Sequence, residues 1–209
     1  MTSASTTTSC DSRFARSFIR AFLAGICISI GGCVYLNTEP KWVGAVLFAV
    51  GLSTVCAFNL DLYTGKVGYW IGKRPSYAID LLVIILGNFA GCLLTGLMMP
   101  YDAASGAVDA KLQLDWYRAL FKGVMCGILM FIAVDMYKTR GTFFGIVFCV
   151  PVFILAGFEH SIADMFYFCS AGVFSLDALV FIVLIIIGNG IGGLLIPFCR
   201  RYMTEPEGS

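Results

Sequence analysis

The residues best suited to chemistry lie in one short polar stretch, residues 159–166, with the sequence Glu-His-Ser-Ile-Ala-Asp-Met-Phe. It contains the only histidine of the chain, His160, and it follows Phe143–Phe158, an apolar run without a charged residue. An imidazole with a pKa of about 6.5 can bind or release a proton near neutral pH. Ionisable groups at membrane depth are costly and usually functional. The pattern therefore indicates a membrane protein with His160 at a pore or binding site.

Three roles are compatible with such a histidine. It can relay a proton or act as a pH-dependent gate. Burial disfavours the charged ring, so His160 can also be a neutral donor that only orients a solute. Finally, it can stabilise an interrupted helix without contacting any solute.

The elements that must position His160 are apolar and long. The chain has 209 residues, of which 59% are hydrophobic and 13% charged, and its mean hydropathy is +0.87. These values predict an all-α protein in a lipid bilayer. A net charge of +1 and the lack of a clustered basic face give no indication of a nucleic-acid partner, and we expect none. Six segments are candidate membrane helices: Ser17–Leu36, Val43–Phe58, Leu81–Met99, Phe121–Tyr137, Phe143–Phe158 and Leu179–Phe198.

The positive charges predict the orientation of these segments. If the N-terminus is cytoplasmic, ten Lys and Arg residues lie inside and four outside, as the positive-inside rule requires. Both termini are then cytoplasmic, and the protein lies in the inner (plasma) membrane. Ile30-Gly31-Gly32-Cys33 loosely imitates a lipoprotein cleavage site, but the repeat described next requires the first segment to be retained.

Two stretches repeat along the chain. Residues 87–94, which begin Gly-Asn at Gly87 and Asn88, correspond to residues 188–195, which begin Gly-Asn at Gly188 and Asn189, at an offset of 101. The same offset pairs Asn59 with His160. At an offset of 98, Arg20 and Gly25 correspond to Arg118 and Gly123, and Arg13 corresponds to Lys111. Chance recurrence of packing glycines is the alternative explanation.

A repeat with three spans in each half must be inverted across the membrane, and inverted repeats often place a binding site at interrupted helices. We expect helices 2 and 5 to be broken at residues 59–65 and 159–164, so that Thr64 and His160 face each other. Asn59, Asn88, Asn189 and Glu159 are predicted to support these breaks, because buried amides and exposed backbone groups need partners. The predicted organisation is one membrane domain, residues 13–201, with halves 13–101 and 111–201 and cytoplasmic tails 1–12 and 202–209.

The other reactive residues suggest neither catalysis nor a bound metal. The nine cysteines form no C-x-x-C pair. A single histidine cannot supply both axial haem ligands, although His with Met could, which leaves an electron-transfer subunit as an alternative. No catalytic triad is visible. We therefore expect no cofactor, no metal site and no enzymatic activity.

The sequence resembles the formate/nitrite transporter family from Arg13 to Arg201. The residues that carry the resemblance are the stretch 159–166, with Asp164 where an Asn is common, the run Asp61-Leu62-Tyr63-Thr64 and the two Gly-Asn motifs. The resemblance implies an aquaporin-like fold, a homopentamer with one pore in each subunit, and transport of small monovalent anions of weak acids with protons. Formate, nitrite, hydrosulfide and short carboxylates are examples.

The resemblance also implies roles for individual residues. His160 is the central pore histidine, Thr64 its hydroxyl partner and Lys111 a vestibule lysine that attracts anions. The narrow apolar slits are formed by Phe48, Leu52, Leu62 and Phe153. Glu159 and Asp164 are expected to hold the loop, since a carboxylate facing an anion path would repel the anion.

Two positions depart from the family pattern. Gly127 stands where an asparagine is often found near the histidine, which predicts more room and tolerance of a larger substrate or of hydrosulfide. The cytoplasmic vestibule lysine has no counterpart, and by the repeat offset Arg13 is the candidate substitute. A neutral-solute pore or a non-conducting scaffold remains the alternative, although the paired Asn-Pro-Ala loops of water pores are absent from the sequence.

Overall fold

The structure is a computed structural model that describes the backbone of residues 4–203 and the side chains from residue 12 onward. This part of the chain contains no β-strand, and a 3-10 turn at Val67–Tyr69 accompanies its α-helices. The helices are α1 (Ala4–Asn37), α2 (Lys41–Ala57), α3 (Tyr63–Lys66), α4 (Tyr77–Met98), α5 (Asp102–Leu112), α6 (Trp116–Arg140), α7 (Phe144–Leu155), α8 (Ser161–Ser170) and α9 (Leu176–Met203).

Four helices are long and apolar enough to cross a membrane: α1 from Ser12, α4, α6 and α9. The shortest, α4, has 22 residues and is about 33 Å long at 1.5 Å per residue, which matches the hydrocarbon core of a bilayer. Large apolar side chains such as Leu82, Leu86, Ile187 and Ile191 are exposed on α4 and α9. The chain is an integral membrane protein, and these faces are suited to contact with lipid.

Two shorter apolar helices, α2 with 17 residues and α7 with 12, are each followed by a non-helical stretch and then by a second short helix. Leu62 precedes α3 with φ −101° and ψ 130°. His160 precedes α8 with φ −110° and ψ 110°. Both residues are extended, so their neighbouring backbone groups point away from a helix axis.

Glycines bring the long helices together in two pairs, α1 with α4 and α6 with α9. A β-carbon at Gly91 would overlap the carbonyl oxygen of Phe22, and one at Gly192 would overlap that of Val124. Small residues at such crossings let backbones approach closely. The pairs enclose α8, in which all ten residues are buried.

The structure differs from the sequence prediction in the connector before the fourth long apolar segment. The six predicted segments leave residues 100–120 without a helix, but Asp102–Leu112 is helix α5. Ala104 and Val108, four residues apart, are buried on its inner face, and Asp102 lies in the first turn, where a negative charge is favourable. Helix α1 also begins at Ala4, within the predicted N-terminal tail. Residues 1–3 and 204–209 of the predicted tails lie outside the described residues.

Candidate pore site

His160 and Thr64 are buried and directly hydrogen-bonded. The backbone N–H of Ala163 donates to Nδ1 of His160 at 3.1 Å, so Nδ1 carries no proton. A neutral ring then has its proton on Nε2, which lies 3.0 Å from Oγ1 of Thr64. We assign Nε2–H as the donor to the threonine oxygen. The hydroxyl proton of Thr64 is then available to a further acceptor.

The break before α3 is held by Asn88 of α4. Its Oδ1 accepts from the backbone N–H of Tyr63 at 3.0 Å, and its Nδ2 donates to the carbonyls of Asp61 at 2.9 Å and Ala21 at 2.8 Å. The residue is fully buried. The amide therefore replaces backbone partners that a continuous helix would provide.

The break before α8 is held in the same way by Asn189 of α9. Its Oδ1 accepts from the N–H of Ser161 at 2.9 Å, and its Nδ2 donates to the carbonyls of Glu159 and Gly123, both at 2.9 Å. Asn88 thus binds Asp61 and Tyr63 as Asn189 binds Glu159 and Ser161. Asp61 corresponds to Glu159, and Tyr63 corresponds to Ser161. Each pair is separated by 98 positions in the sequence.

This register corrects one sequence-based pairing. The offset of 101 paired Asn59 with His160, but at the offset set by the hydrogen bonds the counterpart of His160 is Leu62, and that of Asn59 is Gly157. Asn59 has φ 50° and Gly157 has φ 67°, both in the turn that ends the preceding helix. The sequence pairing fails because Asn189 follows Ser161 by 28 residues, whereas Asn88 follows Tyr63 by 25.

Aromatic rings connect the imidazole to the opposite short helix. The ring of Phe153 stacks on His160 with 5.7 Å between centroids. Phe48 meets Phe153 edge to face at 6.0 Å. Leu52 and Leu62 are buried as well. The structure therefore places Phe48 and Phe153 in one contact chain that ends at His160.

A cavity of about 410 Å³ adjoins the imidazole on one side; we call it the Lys111 cavity. Lys111 of α5 donates to the carboxylates of Glu159 and Asp164, with 2.8 Å between Nζ and Asp164 Oδ1. Burial alone lowers the pKa of Lys111, but these two carboxylates outweigh it and leave the pKa above its ordinary value. The predicted vestibule lysine is thus bound by two acids rather than free in a solvated loop.

A second cavity, of about 200 Å³, is lined by Leu62, Asn59, Lys66 and Lys138; we call it the Lys138 cavity. Lys66 Nζ lies 2.7 Å from Asp61 Oδ1, and Lys138 Nζ lies 3.7 Å from the ring centroid of Tyr69. The two cavities contact α6 at different points along its axis. Lys122 lines the Lys111 cavity and Val134 lines the Lys138 cavity. These two residues are about 18 Å apart along the helix at 1.5 Å per residue.

Two predicted residues lie elsewhere. A β-carbon at Gly127 would overlap the carbonyl oxygen of Asn189, so the position of the missing side chain is filled by α9 and offers no extra room. Arg13 pairs with Asp80 at 3.4 Å and is exposed. Among the described residues, Arg13 does not line either cavity.

Comparisons with known proteins agree with this geometry. The profile of the family described as formate/nitrite transporter matches residues 1–203. The formate channel FocA of Escherichia coli (strain K12) is 30% identical over 183 residues, which cover 72% of this chain and 64% of that protein. The nitrite transporter NirC of Salmonella typhimurium is 27% identical over 161 residues, which cover 67% of this chain and 59% of that protein. This chain therefore spans less than two thirds of the length of either relative.

A solved structure described as a pentameric formate channel with formate bound superposes with a TM-score of 0.80. Its sequence is 22% identical, and the match covers 92% of this chain and 97% of that one. At this identity the similarity shows a shared fold.

Proposed function

Because the chain belongs to the formate/nitrite transporter family, we propose that it is a membrane channel or transporter for small monovalent anions of weak acids. Formate, nitrite, hydrosulfide and short carboxylates form the substrate class. The observation that carries the proposal is the buried pair of Thr64 and His160, which lies between two helix breaks. The proposal takes its substrate class from the relatives named for formate and nitrite.

Family membership confirms the resemblance inferred from the sequence. The family comprises channels and transporters, which confirms the prediction that the chain is not an enzyme. The similar pentameric formate channel supports a homopentamer here. We further propose that the protein lies in the plasma membrane with both termini cytoplasmic, as the placement of Lys and Arg suggests.

The proposed architecture is one membrane domain, residues 13–201, with six spans in two inverted halves. In this arrangement α2 with α3, and α7 with α8, form the interrupted spans. The matching hydrogen bonds of Asn88 and Asn189 support it, because each amide ties one break to the first long helix of its own half. Inverted halves place the permeation site at their interface.

The mechanism addresses the cost of moving an anion through a dry constriction. An isolated charge there costs several kcal/mol or more, so loss of water favours the neutral acid. The apolar side chains of Phe48, Leu52, Leu62 and Phe153 then form slits that a neutral acid crosses more readily than its anion. The anion enters through the cavities, where Lys111, Lys122 and Lys138 provide cationic hydrogen-bond donors.

His160 acts in this mechanism as a neutral ring whose Nε2–H orients the hydroxyl of Thr64, and this hydroxyl positions the solute. Accepting a proton at Nδ1 would break the hydrogen bond from Ala163, which supports orientation by the ring over storage of a proton on it. Thr64 can turn its hydroxyl proton toward an oxygen of the solute, because its own oxygen accepts from Nε2. The solute is thus held at the position where it crosses as an acid.

The decisive experiment is uptake of labelled formate, nitrite and acetate into proteoliposomes at pH 5.5 and 7.5. Transport of at least one anion above empty vesicles is expected, and loss of that transport in His160→Ala supports the site. Exposed Asn37→Ala provides the matched control. Osmotic swelling without uptake of any anion would replace this proposal with the neutral-solute pore.

A further inference from the structure

Four charged side chains line the Lys111 cavity beside His160: Lys111, Lys122, Glu159 and Asp164. Lys111 bridges the two carboxylates, and Lys122 Nζ lies 4.0 Å from Glu159 Oε1. If all four are ionised, their charges cancel. A cavity without net charge does not concentrate anions by electrostatic attraction.

Among the described residues, no donor reaches one carboxylate oxygen of this cluster. Asp164 Oδ1 binds Lys111, whereas Asp164 Oδ2 is buried without a hydrogen bond. The side chain is only 2% exposed. A buried, unpartnered carboxylate oxygen is unfavourable, and a proton on it would remove the charge and create a donor. The geometry therefore suits a protonated Asp164.

The equivalent site at the other break has one carboxylate fewer. At the offset of 98 set by the asparagine hydrogen bonds, Glu159 corresponds to Asp61 and Asp164 to Lys66. Lys66 and Asp61 form a one-to-one ion pair at 2.7 Å. The Lys111 site instead combines two buried carboxylates with one buried lysine. Of the two corresponding sites, only the Lys111 site thus has a second carboxylate.

We propose that Asp164 is a proton-binding site, and that an anion enters the Lys111 cavity together with a proton on Asp164 Oδ2. This inference rests on the proposed transport function. A proton from solution converts the carboxylate to a carboxylic acid, which changes the charge of the four-residue cluster from zero to plus one. The entering anion restores neutrality. When the anion leaves, the proton returns to solution.

The other ionisable groups around Asp164 come from each element packed against it. Glu159 and His160 belong to the break, Tyr167 lies one turn along α8, and α5 contributes Lys111. Helix α9 contacts the start of α8 through the uncharged amide of Asn189. Four further groups complete the surroundings: Lys122 and Cys126 of α6, Cys92 of α4, and Tyr35 of α1. Among all these groups, Glu159 is the one that shares Lys111 with Asp164.

The test measures the apparent KM for labelled formate in proteoliposomes with equal internal and external pH between 5 and 8. In the wild type we expect KM to rise with pH. At pH values at which Asp164 is mostly deprotonated, KM should rise by up to about tenfold per pH unit. Asp164→Asn is neutral at every pH, and its KM should stay low and flat. Asp109→Asn removes an exposed carboxylate from α5 and should follow the wild type. The ratio of the variant KM to the wild-type KM, taken at the same pH, is independent of the protonation of formate itself.

A second measurement detects the proton without transport. Infrared difference spectra recorded against pH should show the C=O band of a protonated carboxylic acid in the wild type and not in Asp164→Asn. Glu159→Gln leaves one carboxylate for Lys111 and should move that titration to lower pH, which keeps the test usable if Asp164→Asn does not fold. A KM in Asp164→Asn that follows the wild type with pH, or an unchanged infrared titration, would overturn the inference. Failure of the wild type to transport any anion would instead reject the proposed function.

Discussion

Oγ1 of Thr64 and Nε2 of His160 lie 3.0 Å apart, although the two residues are separated by 96 positions in the sequence. Neither is in the regular part of a long helix. Thr64 is in the short α3, directly after one break, and His160 ends the other. The contact therefore depends on both breaks being fixed at once, which the two buried asparagines achieve.

Removal of the Thr64 hydroxyl should impair transport. Thr64→Val keeps the shape but leaves the Nε2 proton without an acceptor, which costs about 1–3 kcal/mol. Since 1.4 kcal/mol corresponds to a factor of ten, we expect initial uptake of formate to fall by about tenfold or more. Thr64→Ser retains the hydroxyl and should stay close to the wild-type rate. Equal rates for the valine and wild-type proteins would show that the hydrogen bond does not contribute.

The two asparagines should be among the most sensitive positions for stability. Asn88→Leu or Asn189→Leu leaves three backbone groups without their partners, each worth about 1–3 kcal/mol when buried. We expect a large fall in the melting temperature of the purified protein in detergent. Exposed Asn37, whose Nδ2 donates to the carbonyl of Cys33 one turn earlier in α1, provides the control as Asn37→Ala. If the leucine variants had the same melting temperature as Asn37→Ala, this account would be contradicted.

Much of this arrangement could be predicted from the sequence. Long apolar runs mark α1, α4, α6 and α9, because spanning a bilayer requires about 20 apolar residues. The pairing of Thr64 with His160 followed from matching two polar interruptions within apolar runs. Both signals are local and can be read without tertiary contacts.

The parts that sequence reasoning missed depend on tertiary packing. Three extra residues between Ser161 and Asn189 shift the repeat register, so the simple offset paired Asn59 with His160. Helix α5 has only two large apolar residues, Val108 and Leu112, and its inner face is buried by neighbouring elements at Ala104 and Val108. The position of Lys111 between two predicted helices gave no indication of its two carboxylate partners. The available signal was a shared spacing, because five residues separate Asp61 from Lys66 and also Glu159 from Asp164.

Gly127 should be a packing position and not a determinant of substrate size. Gly127→Ala forces a β-carbon against the carbonyl of Asn189, and overpacking of this kind costs about 1–3 kcal/mol. Gly106 in α5 has no atom near its β-carbon position, and alanine there should be neutral or stabilise by about 0.5–1 kcal/mol. Melting temperatures of the two variants should therefore shift in opposite directions or differ clearly. If Gly127→Ala is as stable as the wild type and changes the order of substrate preference, the sequence-based expectation that Gly127 makes room for a larger substrate would hold instead.

Lys111 should stabilise the fold through its two carboxylates. Lys111→Met leaves Glu159 and Asp164 buried without their lysine, and breaking a buried pair costs about 3–5 kcal/mol. Exposed Lys73→Met removes the same charge with little effect. Adding Asp164→Asn to Lys111→Met should recover part of the lost stability, because one uncompensated charge is removed. A double variant less stable than Lys111→Met would contradict the pairing.

Since the pKa of Lys111 is raised, the contribution of its charge to stability is fully present below a pH of about 10.4 and declines only as pH rises above that value. Lys111 itself stays charged between pH 6 and 9, whereas the proposed proton on Asp164 is lost as pH rises. The difference in melting temperature between Lys111→Met and the wild type should therefore be larger at pH 9 than at pH 6.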